Sequence, residues 1–391
     1  MPRRFRINGP LLCGLLVFAL GLAAYIAFPI LIGKEFDSAI PRGIGDMIRE
    51  RGITAVTCVW FFVLGATIGS FLNVVAYRMP MGLTIVSKPS RCPYCETPIR
   101  FKHNVPIFGW LALRGRCNAC RLPISIRYPL VEVIVGTLFF ILLCFELASG
   151  GANLPIEFRY ARRGIMWNVL SPNWTLIGLY FFHALLIAIL STIALIKFDR
   201  LRIPMMLVVF AVIVACGCVA KFPMLWVSPW PPEIFESTTA FGQTGYLERL
   251  TQPLSGLVIG ALTGWAMHCM VDRGTRKSSQ TGILIITAIV GAFLGWQMVV
   301  PFAFITVLIH FFTMLGGKLI GKSTDHLWAT SSLWATTLVI CLWKQLAILG
   351  LPSQQSSTWI HWIWLCVAMA AGYVVAYVAA NDCGLLSELN E

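Results

Sequence analysis

The sequence predicts an all-α polytopic membrane protein of about ten transmembrane helices, with one small cysteine-rich loop between two of them. Three observations predict it. The 391 residues are 58% hydrophobic and 12% charged, with a mean hydropathy of +0.78, whereas about a quarter of a soluble domain is charged. The apolar residues are gathered into runs long enough to span a bilayer. The net charge of +13 comes from Lys and Arg set in short segments between those runs, where they control topology and meet anionic headgroups. A charge of that sign and size can also mark a nucleic-acid binder, but cations distributed in this way favour the lipid bilayer, and nucleic acid is not an expected partner.

Arg3, Arg4 and Arg6 precede the first run, 11–32. It is too long for a signal-peptide core and has no small-residue cleavage site, so it is expected to remain as a span with a cytoplasmic amino terminus. A mixed-charge segment, 33–52, then lies outside, and 53–77 returns. Segment 78–128 holds nine basic residues and one acidic residue, Glu96, and is expected in the cytoplasm. Spans follow at 129–149, 174–196, 203–219, 254–271, 282–299, 302–315, 327–349 and 359–380, the fifth and sixth of these joined by a tight turn at Val299-Val300-Pro301. Counting crossings puts 197–202, 272–281, 316–326 and the tail from 381 inside, and the first three carry Lys or Arg clusters. Arg159, Arg162 and Arg163 run against the count. The Trp-rich stretches after 327 fit interfacial anchoring.

Segment 78–128 carries the sharpest chemical signal, Cys92-Pro-Tyr-Cys95 and Cys117-Asn-Ala-Cys120. Two C-x-x-C knuckles about twenty residues apart can present four thiolates tetrahedrally to one zinc ion, which would make this a small cytoplasmic, zinc-ribbon-like loop. Two other readings stand beside it: unrelated pairs of buried cysteines, and disulfides. Free buried cysteines favour apolar segments, and a reducing compartment disfavours disulfides. Most of the other cysteines, Cys58 and Cys144 among them, lie in apolar runs as packing residues. His103 sits between the knuckles, but four cysteines already complete a shell. Glu132, just inside a span, needs a partner there, either a loop Arg or a helix terminus. His183, His268 and His310 read as hydrogen-bonded packing residues.

The stretch Gly69-Ser-Phe-Leu-Asn-Val-Val-Ala-Tyr-Arg-Met-Pro80, then Ser90-Arg-Cys-Pro-Tyr-Cys95, Arg114-Gly-Arg-Cys-Asn-Ala-Cys120 and Pro123-Ile-Ser-Ile-Arg-Tyr-Pro-Leu-Val-Glu132 resembles the type IV prepilin leader peptidases, nearly continuously over some sixty residues. The resemblance implies an aspartic peptidase of the bacterial inner membrane that removes the basic leader from pilin and pseudopilin precursors. It further implies possible N-methylation with S-adenosylmethionine, a cytoplasmic cysteine loop, and Cys92, Cys95, Cys117 and Cys120 as a zinc set.

Membrane aspartyl chemistry needs two carboxylates that share a water, one taking its proton and the other protonating the amide. In the family the first Asp lies seven residues before a proline that opens a span, with a second Asp two residues later. The other catalytic Asp ends a Gly-x-Gly-Asp motif. Here Ile196-Lys-Phe-Asp-Arg-Leu-Arg-Ile-Pro204 puts Lys197 at the first position and Asp199 at its follower, while Gln280-Thr-Gly-Ile283 puts Ile283 at the last. The candidate dyad is therefore Asp199 with Asp272, or with Asp325 as the alternate. The plainer reading of Asp199 is an interfacial partner of Arg200 or Arg202. Two functions follow: a prepilin peptidase with relocated carboxylates, or a catalytically inactive homologue that serves as an assembly or binding component of a pilus or type II secretion system. The expected divisions are 1–52, an extra span and external loop; 53–148, the amino-terminal domain with its Cys loop; 175–349, the peptidase-like membrane domain; and 350–391, a last span and tail.

Overall fold

Apolar segments whose backbone groups must be satisfied without water become helices, and helices build this fold. The structure, a computed structural model, describes residues 44–85, 90–92, 94–154, 164–225, 246–271, 280–320 and 327–348. The helices are α1 (Ile44–Arg78), α2 (Phe108–Ala112), α3 (Arg127–Leu142), α4 (Ile165–Leu170), α5 (Trp174–Phe198), α6 (Met205–Lys221), α7 (Tyr246–Val271), α8 (Gln280–Leu294), α9 (Trp296–Ile320), α10 (Trp328–Cys341) and α11 (Trp343–Ile348). Among the described residues there is no β-strand, only two isolated bridges. Segments Ile48–Met81, Arg127–Ala148, Trp174–Phe198 and Trp296–Leu315 are long and apolar enough to cross a membrane, and Met205–Lys221, Gly282–Leu294 and Trp328–Cys341 are shorter apolar helices. The chain is a multi-pass membrane protein. The expected first and last spans, 11–32 and 359–380, lie outside the described residues.

Helix α5 is the axis of the bundle. Asn173 caps it, its Oδ1 accepting from the Leu176 N–H at 3.2 Å. Leu176, Leu179, Tyr180, Leu186, Ile187, Ile193 and Ile196 are all fully buried on it, and α1, α3, α8 and α10 pack around it. A helix apolar on every side belongs inside such a bundle. Among its buried polar side chains is His183, whose Nδ1 lies 2.5 Å from Glu146 Oε1. Glu146 comes from a π-helical turn, Leu143–Ala148, that continues α3. A carboxylate at this depth requires such a partner.

Glycine brings the other helices together. In α7, Gly256, Gly260 and Gly264 repeat every fourth residue. A Cβ added at Gly256 would lie 2.0 Å from the Gly291 carbonyl oxygen, and one at Gly260 would lie 2.3 Å from that of Thr287. In membranes, where the hydrophobic effect does not drive helices together, close backbone approach of this kind supplies the attraction. Helices α1 and α3 use the same device, with Gly65 facing Gly136.

Three boundaries differ from expectation. Helix α1 extends back to Ile44, into the segment read as an external loop, because hydropathy measures membrane-spanning length and is blind to a polar helical extension. The break between α8 and α9 falls at Gly295, whose φ of 95° favours glycine, and Pro301 sits inside α9. The span expected over 327–349 is interrupted at Leu342, between α10 and α11.

Candidate functional site

The two knuckles are built alike. Arg91-Cys-x-x-Cys-x-x-Pro-Ile99 and Arg116-Cys-x-x-Cys-x-x-Pro-Ile124 share one pattern, and each closes on itself through an antiparallel bridge, Arg91 to Pro98 and Arg116 to Pro123. The hydrogen bonds repeat too. Cys92 N–H donates to Thr97 O at 3.1 Å and Cys117 N–H to Leu122 O at 2.8 Å, while Glu96 and Arg121 donate back to the Cys92 and Cys117 carbonyls. Glu96 and Arg121 occupy the same left-handed position, with φ of 53° and 60°. The local duplication is readable in the sequence as the shared R-C-x-x-C-x-x-P-I string, a signal our reading of the chain did not use.

The knuckles bring Cys92, Cys95, Cys117 and Cys120 together with all four sulfurs within 4.8 Å of one another. The nearest approaches run between knuckles, Cys92 to Cys120 at 3.8 Å and Cys95 to Cys117 at 3.9 Å. A tetrahedral ion with metal–sulfur bonds of about 2.3 Å would space its sulfurs about 3.8 Å apart, so the set fits one ion. All four are free thiols in this structure. Hydrogen bonding with the Thr97 hydroxyl, then with its backbone, holds the Cys95 thiol down to about 6, toward the thiolate that ligates metal. His103 is not part of the cluster.

The loop is anchored to the bundle from below. The Ile107 N–H donates to Glu132 Oε2 at 2.7 Å, and Ile107 is the N-cap of α2, so the buried glutamate of α3 meets a helix terminus, one of the two partners expected, and not a loop Arg. Ile107 has φ of 63°, strained for a β-branched residue, and is buried. Gly109 follows because a Cβ there would lie 2.3 Å from the His103 carbonyl oxygen. Trp110 Nε1 donates to Ile124 O at 3.1 Å, tying α2 to the second knuckle. Asn73 of α1 reaches Tyr128 O at 3.4 Å.

Seven residues after Cys120 the chain enters α3 at Arg127, whose guanidinium takes both oxygens of Asp199, Nη1 to Oδ1 at 2.5 Å and Nη2 to Oδ2 at 2.7 Å. Arg127 also lies over the Phe198 ring at 5.6 Å. The partner of Asp199 is thus Arg127, where Arg200 or Arg202 had been expected. The other two carboxylates considered for the dyad, Asp272 and Asp325, lie outside the described residues. Beside Asp199, the Lys197 side chain crosses from the end of α5 to the start of α8. A Cβ added at Gly282 would lie 2.7 Å from Lys197 Cε. The adjoining Ile283 is buried with Met267, Ala303, Val307 and Trp328.

The family described as Bacterial Peptidase A24 N-terminal domain matches residues 63–145, which hold α1 from its middle, the cysteine loop and α3. A prepilin leader peptidase/N-methyltransferase of Myxococcus xanthus (strain DK1622) is 54% identical over 82 residues, 21% of this chain and 24% of that relative. Counterparts of the same name match further. The Stutzerimonas stutzeri protein is 29% identical over 277 residues, 65% of this chain and 78% of its own length, and that of Pectobacterium carotovorum subsp. carotovorum is 28% identical over 265 residues, 61% and 76%. These similarities support the type IV prepilin peptidase family. No solved structure matches it. Lys197 and Ile283, which the sequence resemblance set at the catalytic aspartate positions, come from the facing ends of α5 and α8.

Proposed function

We propose that this protein acts on pilin or pseudopilin precursors as a prepilin leader peptidase-like protein of the bacterial inner membrane, with its cysteine loop in the cytoplasm. The carrying observation is that the cysteine loop and Asp199 meet at one end of the bundle through Arg127, so that a basic leader outside the membrane and an apolar helix among the spans would meet a carboxylate at their junction. Asp199 and Asp272, or Asp325 in its place, form the dyad of this reading. One takes a proton from water and the other protonates the departing amide nitrogen. Both Asp199 oxygens are held by Arg127, so the guanidinium must yield one of them for water to enter. Zinc held by Cys92, Cys95, Cys117 and Cys120 supplies a structural crosslink and no reacting group. The name shared by the relatives supports S-adenosylmethionine as a methyl donor. The test is co-expression with a pilin-like precursor of the same organism and mass spectrometry of the product. Leader loss that disappears in Asp199→Ala is expected, and cleavage that survives in that variant removes Asp199 from the dyad.

One observation favours a second reading. Lys197 and Ile283 occupy the facing helix ends, where an ammonium and an aliphatic side chain cannot activate water as a carboxylate pair does. On that reading the protein holds precursors without cutting them, as an assembly component of a pilus or type II secretion system. Absence of leader loss under conditions where a typical relative works selects it.

A further inference from the structure

The cysteine loop reaches alongside the spans at the end of the bundle. Arg127 and Asp199 mark that end, yet the Ile107 N–H bonds to the side chain of Glu132, whose backbone lies five residues farther along α3, about 7.5 Å at 1.5 Å per residue, with the side chain leaning back toward the helix start. Residues 105–108 therefore sit level with the first turns of the spans. The strained backbone at Ile107 is held in place by that bond, so this depth is built in. While Ile107 turns inward, its neighbours do not: Phe101 is 91% exposed, Phe108 67% and Val105 39%. Arg100 within the arm and Arg114 beyond it are both exposed, in a segment with nine basic residues and one acidic residue.

We propose that the arm 99–108 is a membrane-inserting wedge: Phe101, Val105 and Phe108 enter the headgroup and acyl boundary of an anionic phospholipid leaflet while Arg100 and Arg114 take its phosphates. Interfacial elements bury their apolar face about 5–10 Å into that boundary, in keeping with the level at which Glu132 holds the arm. The charge suits anionic lipid and repels a basic leader peptide, so the arm belongs to the bilayer and not to the substrate. The wedge rests on membrane embedding and stands whether or not a leader is cut.

The test uses the full chain in lipid nanodiscs, with Phe101 and Phe108 replaced one at a time by the photo-crosslinker benzoylphenylalanine. Irradiation is expected to give acyl-chain adducts by mass spectrometry at both positions, with higher yield in phosphatidylglycerol than in phosphatidylcholine discs. Arg100→Gln and Arg114→Gln should each reduce that preference about fivefold, the equivalent of about 1 kcal/mol per basic residue near a charged surface, with metal content unchanged as the control for an intact loop. No lipid adduct at either position, equal yield in the two lipids, or crosslinks to a second copy of the chain would each overturn the wedge.

Discussion

Lys197 meets Gly282 across the ends of α5 and α8, and this contact makes the divergence of the chain testable by addition as well as by loss. If these helix ends retain the geometry of a working site, the double substitution Lys197→Asp with Ile283→Asp should introduce leader cleavage where the unmodified chain shows none. A folded, metal-replete double variant that stays silent would argue that the seat has closed. At the metal centre, zinc is expected to copurify at about one per chain, as a four-thiolate shell requires, and to be lost from Cys92→Ser with Cys117→Ser by elemental analysis. Full retention would refute the site. Glu132→Ala leaves the Ile107 N–H buried without an acceptor, a cost of about 1–3 kcal/mol. Glu132→Gln keeps an acceptor and should cost less, as read from thermal unfolding in detergent. The composition of the four-cysteine cluster was legible in the sequence because C-x-x-C spacing is local. The Arg127 to Asp199 and Ile107 to Glu132 contacts were not, since each joins residues that only helix packing brings together.

At the scale of elements, the seam between α7 and α8 leaves no room for a side chain. Gly291→Leu would drive a bulky group into the Gly256 backbone. Overpacking of a tight interface costs about 1–3 kcal/mol, so a clear fall in the unfolding temperature is expected, whereas a leucine at Gly217, where an added Cβ meets nothing within 4 Å, should leave it nearly unchanged. Equal effects at the two sites would dissolve the distinction. The helical class and the approximate spans were legible because hydropathy reports what a bilayer selects. Helix ends were less so. Proline at 301 looked like a turn, but a ring near the start of α9 can be absorbed while Gly295 makes the bend. The polar first turns of α1 carried no hydropathy signal at all.

For the whole molecule, the cysteine loop is carried between two helices that already pack along their length, α1 and α3, joined through Gly65, Gly136 and Asn73. The span from Arg78 to Arg127 is therefore a closed loop before any ion arrives, and each knuckle is closed again by its own bridge. Most of the loop-closure entropy that opposes metal capture has been met by the helices. This sets an order of assembly, with spans first, knuckles next and the ion last. It also separates two kinds of failure. Chelation should leave far-ultraviolet circular dichroism of the bundle intact while 90–124 becomes open to protease, and a parallel collapse of helicity would show that the ion holds more than its own loop. A protein assembled in this order can lose its metal and regain it without leaving the membrane.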